Sequence, residues 1–136
     1  MKTFTASFAK RASIATIALV AAPVFAFAHH GWSWTADEES RLSGTIQEIS
    51  LGNPHAHLQI ENEEGIWEVD LAPPYATESA GFVEGVANVG DAATFTGHRS
   101  RDESERAFKA ETITVNGKTY DVYPRREKTL EPEPAA

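Results

Sequence analysis

Short stretches of alternating apolar and polar residues, each ended by a turn signal, recur along most of this chain. Alternation with a period of two is typical of β-strands that bury one face. Six such stretches can be followed, at residues 42–51, 55–61, 66–71, 92–99, 107–115 and 118–123. The sequence therefore predicts an all-β domain.

The first stretch contains a change of phase. Leu42 and Ile46 share one parity, whereas Ile49 and Leu51 share the other. One extra residue near positions 47–48 explains the change, because a β-bulge inserts a residue and coils the strand. We therefore expect a bulged, strongly coiled first strand.

A short helix is predicted between the third and fourth strands, at residues 75–82. It follows Pro73-Pro74, and proline is tolerated at the first helical position. Asn116-Gly117 is a strong type I′ hairpin signal between the last two strands. Three strands, one helix and two or three strands is the order of a small Greek-key barrel of the OB type. An open β-sandwich is the alternative architecture.

The first 28 residues have the pattern of a secretory signal peptide. Lys2, Lys10 and Arg11 precede an apolar run, and Ala-Phe-Ala at positions 26–28 is a small-x-small cleavage site. The run is too short and alanine-rich for a membrane span of about 20 residues, so we expect cleavage with no stable membrane anchor left. The mature protein is then periplasmic or secreted.

The remaining 108 residues fit a single domain, since domains usually contain about 100–200 residues. The end of the chain is rich in proline and glutamate, which favours disorder. The predicted organisation is a signal peptide at 1–28, one OB-like barrel at 29–124 and a disordered tail at 125–136.

Composition excludes several function classes. The chain has no cysteine, which excludes disulfides, thiolate metal sites and a cysteine nucleophile. Its net charge is −8, and this acidic balance argues against a nucleic-acid partner, which needs clustered Lys and Arg. We find no nucleophile elbow, phosphate loop or convincing acid–base pair, so the sequence does not favour an enzyme.

Two histidines, His29 and His30, would open the mature chain. After cleavage His29 carries a free α-amino group beside its imidazole, and these two nitrogens can chelate one metal ion. The unperturbed pKa of such an amine is about 7.7–8.0, so a metal can displace its proton at neutral pH. With one more imidazole, three nitrogens suit the tetragonal geometry of Cu(II).

Two further histidines lie on the second predicted strand. His55 and His57 are two positions apart, so their side chains leave the same face about 6.6 Å apart. We therefore predict a metal site formed by His29, His30, His55 and His57, with copper as the first choice and zinc as the second. His98 ends the fourth strand, and the sequence does not decide whether it joins the site.

Several motifs resemble those of a family of small exported bacterial proteins, the domain of unknown function DUF6152. The specific ones are Ala28-His29-His30 and Asn53-Pro54-His55-Ala56, and weaker matches lie at residues 42–46, 67–69, 90–91 and 95–97. The similarity covers roughly residues 29–122 and implies no activity. The residue after Asn-Pro-His-Ala is often aromatic in this family but is His57 here, so the resemblance favours His55 as the ligand.

Two function hypotheses remain open. The first is a periplasmic Cu(II)-binding protein for metal buffering, delivery or tolerance, which would also allow a periplasmic protein partner. The second is a metal-free exported module that binds a protein, peptide or glycan, with the outward Glu68 and Asp70 favouring cationic partners. In either case Trp32 and Trp34 are expected to pack the N-terminal segment onto the barrel.

Overall fold

The computed structural model describes residues 31–133. It contains six strands and one short helix: β1 (Ser40–Ser50), β2 (His57–Asn62), β3 (Gly65–Asp70), α1 (Pro74–Ser79), β4 (Ala92–Arg99), β5 (Ala107–Val115) and β6 (Lys118–Asp121). The predicted signal peptide, His29 and His30 lie outside the described residues. Within the described range, no helix is long and apolar enough to cross a membrane.

Five strands close into a barrel. β1 pairs antiparallel with both β2 and β4, β2 pairs with β3, and β4 pairs with β5. A short parallel pairing of β3 with β5 completes the ring, and β6 extends the opposite end of β5. The order 1-2-3-5-4 is that of the OB fold, with α1 between the third and fourth strands. The predicted OB-like barrel is therefore confirmed over the sandwich.

The barrel interior is filled by the apolar half of the strand alternation. Removal of these side chains from water is the main source of stability, at about 25 cal/mol per Å² of apolar surface. The largest contributors are Leu42, Ile46, Leu58, Ile60, Trp67, Val69, Phe95, Phe108 and Ile113.

The predicted bulge in β1 is present. The pairing of β1 with β2 shifts register between Ile46 and Glu48, which accounts for the change of parity along the strand. Close approach of the two strands also needs Gly44, where a Cβ atom would lie 2.6 Å from the carbonyl oxygen of Glu61.

Several elements differ from their predicted bounds by one to three residues, among them α1 and β2. The helix ends at Ser79 instead of residue 82, because the chain turns at Gly81 with φ +90°. β2 begins at His57, so His55 lies in the connection from β1 and not on the strand. The argument from strand spacing therefore does not set the direction of His55 relative to His57.

The outer face of β4 and β5 is covered by both ends of the described chain. The ring of Trp32 lies 5.6 Å from that of His98 and 4.9 Å from that of Tyr123. Arg126 stacks on the other side of this contact, with its Cζ 3.7 Å from the Trp32 ring centroid. The predicted role of Trp32 in packing the N-terminal segment onto the barrel is confirmed.

Residues 123–130, called the strap below, follow β6 and run back to the start of β1. The strap makes defined contacts through residue 130, although the sequence predicts disorder from residue 125. Backbone and hydroxyl groups of Thr129 and the backbone N–H of Leu130 donate to Glu39, at 2.7–2.9 Å. Composition cannot anticipate these bonds, because the acceptor lies 90 residues earlier in the chain.

Candidate metal site

Strand pairing sets five polar residues side by side on the outside of the barrel. His57 faces Asp70 across β2 and β3, Asp70 faces Lys109 across β3 and β5, and Lys109 faces His98 across β5 and β4. Glu39 precedes Ser40, which pairs with Gly97, so the same antiparallel register leads from His98 to Glu39. We call these five residues the outer row.

His57, at one end of the outer row, has both ring nitrogens bound to carboxylates. Its Nδ1 lies 2.8 Å from Oδ1 of Asp70, and its Nε2 lies 2.5 Å from Oε2 of Glu68. Ionised carboxylates only accept hydrogen bonds, so both contacts are satisfied when the ring is an imidazolium and each nitrogen donates. The bond to Asp70 raises the pKa of His57, while burial opposes that shift and the bond to Glu68 adds to it.

This arrangement bears directly on the predicted role of His57. A metal ligand needs a lone pair on one ring nitrogen, and here neither nitrogen has one. Coordination by His57 would therefore require the ring to leave at least one of the two carboxylates.

A different group of potential ligands comes together at the other end of the outer row. Glu39, His98 and Glu111 each offer one ligand atom, and these atoms lie within 4.8 Å of one another. β4 supplies His98, β5 supplies Glu111, and Glu39 immediately precedes β1. Among residues 31–133, this is the group of three that the fold assembles.

His98 is held by its backbone contact. Its Nδ1 lies 2.9 Å from the carbonyl oxygen of Ala36, which can only accept, so Nδ1 donates. In the neutral ring the lone pair then belongs to Nε2, which lies 3.4 Å from Oε1 of Glu111. A hydrogen bond that fixes one nitrogen in this way is the usual means of orienting a histidine ligand.

Two buried atoms in this group lack hydrogen-bond partners. They are Nε2 of His98 and Oε2 of Glu111, and neither has a partner within the described part of the chain. His98 is 7% exposed and Glu111 is fully buried. An unsatisfied buried polar group costs about 1–3 kcal/mol, so a ligand that satisfies both atoms would stabilise this part of the fold.

A cation between these atoms would satisfy both of them. Metal–nitrogen and metal–carboxylate bonds of Zn²⁺ are about 2.0–2.2 Å long, so small side-chain movements suffice to close the group around an ion. Imidazole and carboxylate ligands suit first-row transition metals.

The carboxylates of Glu111 and Glu39 accept hydrogen bonds from different groups. Oε1 of Glu111 accepts a hydrogen bond from Nε of Arg126 at 2.8 Å. Oε2 of Glu39 accepts the three bonds from the strap. Burial acts to raise the pKa of Glu39, but the bonds from Thr129 and Leu130 outweigh it and lower that pKa below its usual value. The bonds therefore favour the anionic form of Glu39.

An aromatic cover lies over the middle of the outer row. The Nζ of Lys109 lies 5.2 Å from the Trp32 ring and 5.8 Å from the Tyr123 ring, in the range of cation–π contacts. Burial lowers the pKa of Lys109, and the charge of Asp70 opposes the shift. Burial also raises the pKa of Tyr123 to about 12. The cover thus keeps charged groups away from solvent, as a closed binding site requires.

Sequence reasoning did not select Glu39 or Glu111, and it left His98 undecided. The three residues lie on separate parts of the chain, so no local spacing marks them. One signal was available: Lys109 and Glu111 are charged residues within β5, whose other residues are apolar or threonine. Charged residues are almost never fully buried unless they are paired.

Residues 16–109 match the family of unknown function DUF6152. The chain belongs to this family. The match covers more than half of the chain and confirms the resemblance seen in the motifs. No curated protein matches the sequence of this chain.

Solved structures with a similar fold are distant in sequence. A tRNA fluorescent labeling enzyme has a TM-score of 0.44 and 18% identity, over 57% of this chain and 18% of that chain. The yeast Stn1 and Ten1 structure gives 0.42 and 16%, over 57% and 42%. The mitochondrial single-stranded DNA binding protein Rim1 from S. cerevisiae gives 0.43 and 9%, over 58% and 93%. These similarities concern the fold alone.

Proposed function

We propose that this protein is an exported metal-binding protein that favours Cu(II). The proposed site consists of Glu39, His98 and Glu111, completed by the mature N-terminal residues His29 and His30. The observation that supports it is the pair of buried atoms without hydrogen-bond partners, Nε2 of His98 and Oε2 of Glu111.

Chain connectivity supports a contribution from the N-terminus. The Trp32 ring packs against His98, and His30 is two residues earlier in the chain. Consecutive Cα atoms are about 3.8 Å apart, so the Cα of His30 is at most about 7.6 Å from that of Trp32. If the signal peptide is cleaved after Ala28, the amine and ring of His29 become available for coordination.

The combined donor set favours copper. An amine, two or more imidazoles and carboxylate oxygens give the nitrogen- and oxygen-rich tetragonal coordination that Cu(II) prefers, and Cu(II) binds most tightly in the divalent series. Zinc is the second choice. In this proposal His98 takes the position predicted for His55 as the facing imidazole. The function would be metal buffering, delivery or tolerance in the periplasm.

Copper binding to the processed protein tests this proposal. We would record electron paramagnetic resonance spectra with one equivalent of Cu(II), for the chain beginning at His29 and for the same chain with one extra N-terminal residue. We expect a nitrogen-rich tetragonal spectrum that the extra residue abolishes. The His55→Gln variant is the control and should keep the spectrum of the parent. Weak, identical spectra from both chains would contradict the proposal.

A metal-free binding module remains a second candidate, favoured by one surface feature. An apolar groove runs between α1 and residues 121–126, and Tyr75 on its edge is 82% exposed. In that case Tyr75→Ala would weaken partner binding, whereas Glu111→Gln would leave it unchanged. Partner binding that needs no copper, is weakened by Tyr75→Ala and is unchanged by Glu111→Gln would favour the second candidate.

A further inference from the structure

The strap forms its main polar contacts with the two carboxylates of the candidate metal site. Arg126 donates to Oε1 of Glu111 at 2.8 Å, and its guanidinium stacks on Trp32. Further along the strap, Thr129 and Leu130 donate three hydrogen bonds to Oε2 of Glu39. The middle and the C-terminal end of the strap are thus attached to potential metal ligands.

A metal ion would compete with these contacts. Coordination of Glu39 through Oε2 would displace up to three hydrogen bonds that now hold residues 129–130. Coordination of Glu111 through Oε2 would leave the Arg126 guanidinium, which is bound to Oε1, close to a dication. Charges of the same sign repel, and water weakens this repulsion only in part because the Arg126 side chain is 38% exposed whereas Glu111 is buried.

One attachment of the strap, through Lys128, does not depend on the site. Lys128 donates to the carbonyl oxygen of Tyr123 at 2.8 Å and pairs with Asp121 at 3.1 Å, both within the C-terminal part of the chain. These contacts can persist while the strap moves away from β1. The strap can therefore detach from the site without β6 unfolding.

We infer that the strap is a cation-released lid, which covers the site in the metal-free protein and detaches when a metal ion binds Glu39 and Glu111. This inference rests on the proposed function, because it assigns a regulation to the same site. Coupling between two binding events is reciprocal, so the docked strap must also weaken metal binding. Release would uncover Trp32 and would report metal occupancy at the protein surface.

Two neighbouring arginines offer a matched test. Arg126→Gln removes the charge that faces Glu111, whereas Arg125→Gln removes an exposed charge of the same strap that has no contact with Glu111. We expect Arg126→Gln to bind Cu(II) about tenfold more tightly than the parent, within the usual range of coupling between sites. We expect Arg125→Gln to bind within about twofold of the parent.

Thr129→Val provides an independent variant, since it removes one of the bonds to Glu39 and leaves Arg126 in place. It should bind Cu(II) about two- to threefold more tightly, as expected for the loss of one competing hydrogen bond. Thermal melting of each variant checks that the barrel is intact. If Arg126→Gln did not fold, Thr129→Val against Arg125→Gln would decide the question.

Hydrogen exchange of the full processed chain measures release directly. The amides of Thr129 and Leu130 should exchange about tenfold faster with saturating Cu(II), while those of the β1–β2 pairing should not change. The lid would be contradicted if copper binding depended on His98 but copper left the exchange rates unchanged and all variants bound it equally well. The proposed function would then still stand. Absence of any His98-dependent copper binding would overturn both.

Discussion

His57 and His98 lie on the same outer row of the barrel, but their ring nitrogens have different partners. His57 is partly exposed, and both of its nitrogens donate to carboxylates on β3. His98 is buried, and one nitrogen donates to a backbone carbonyl while the other has no hydrogen-bond partner in the described residues. Both nitrogens of the accessible histidine are therefore occupied, whereas the buried one has a nitrogen that is available for coordination when the ring is neutral.

This difference shows what makes a histidine a candidate ligand. Exposure and spacing favour His57, whereas the availability of a lone pair favours His98. The carboxylates near His57 and those near His98 also lie at different distances from the ring. Glu68 and Asp70 bind the His57 ring at 2.5–2.8 Å, but the nearest atom of Glu111 is 3.4 Å from the His98 ring. A gap of that size next to a buried carboxylate leaves room for a cation.

The largest expected effect is a loss of stability on substitution of Gly97, the residue that precedes His98 in β4. A Cβ atom at Gly97 would lie 2.9 Å from the Cα of Ala110 and closer still to the carbonyl oxygen of Lys109. Gly97→Ala should therefore lower the free energy of unfolding by about 3 kcal/mol, the upper range for overpacking. Urea denaturation measures the effect, with Gly52→Ala as a control.

Gly52 is a suitable control because a Cβ atom there meets only Ser50 Oγ, at 3.9 Å. Gly52→Ala should change the free energy of unfolding by less than about 0.5 kcal/mol. Equal stability of both variants would contradict the tight β4–β5 contact. In a folded Gly97→Ala variant, the NMR signals of the His98 ring should shift and those of His57 should not.

The second prediction compares one carboxylate from each region. Glu111→Gln should weaken Cu(II) binding about 100-fold, because it removes an anionic ligand from a buried site. Glu68→Gln should change the affinity less than about twofold, since the Glu68 side chain binds His57 and Gln59 and lies away from the candidate site. Isothermal titration calorimetry measures both. Similar losses in the two variants would show that copper binds through surface acids.

The third prediction concerns pH and uses His57. Its pKa is raised above the usual 6.5, chiefly by the hydrogen bond to Asp70. The stability that His57 contributes is therefore fully present below about pH 6.5 and is lost as pH rises through the pKa of the folded state. His57→Gln should lower the free energy of unfolding by about 1–2 kcal/mol at pH 6 and by much less at pH 9.

Urea melts of the parent and His57→Gln at a series of pH values measure this difference. Contributions from groups that titrate in the same way in both proteins cancel when the two free energies are subtracted. A difference that grows towards alkaline pH would show that His57 is not held as an imidazolium by Glu68 and Asp70.

Local sequence signals predicted most of the barrel because each strand carries its own alternation. The bounds of β4 and β5 were predicted correctly, and the Asn116-Gly117 turn has the predicted positive φ at both positions. The bulge in β1 was also readable, since a change of parity within one strand has a local cause. The helix was placed correctly but predicted to end too late.

The candidate site could not be predicted in the same way. Its members come from three separate parts of the chain, and the hydrogen bonds that hold His98 and Glu39 in place join residues 62–91 positions apart. Sequence spacing suggested that His55 and His57 act together, but it could not show that β3 places two carboxylates on His57. The N-terminal ligands His29 and His30 remain predictions.

The most direct test of the central claim compares the two histidines in copper coordination. Electron paramagnetic resonance of the processed protein with one equivalent of Cu(II) would be recorded for the parent, His98→Gln and His57→Gln. We expect His98→Gln to lose the nitrogen hyperfine splitting of one ligand and His57→Gln to give the spectrum of the parent. The opposite result, with His57→Gln altered and His98→Gln unchanged, would contradict the account and leave His98 as a buried partner of Glu111.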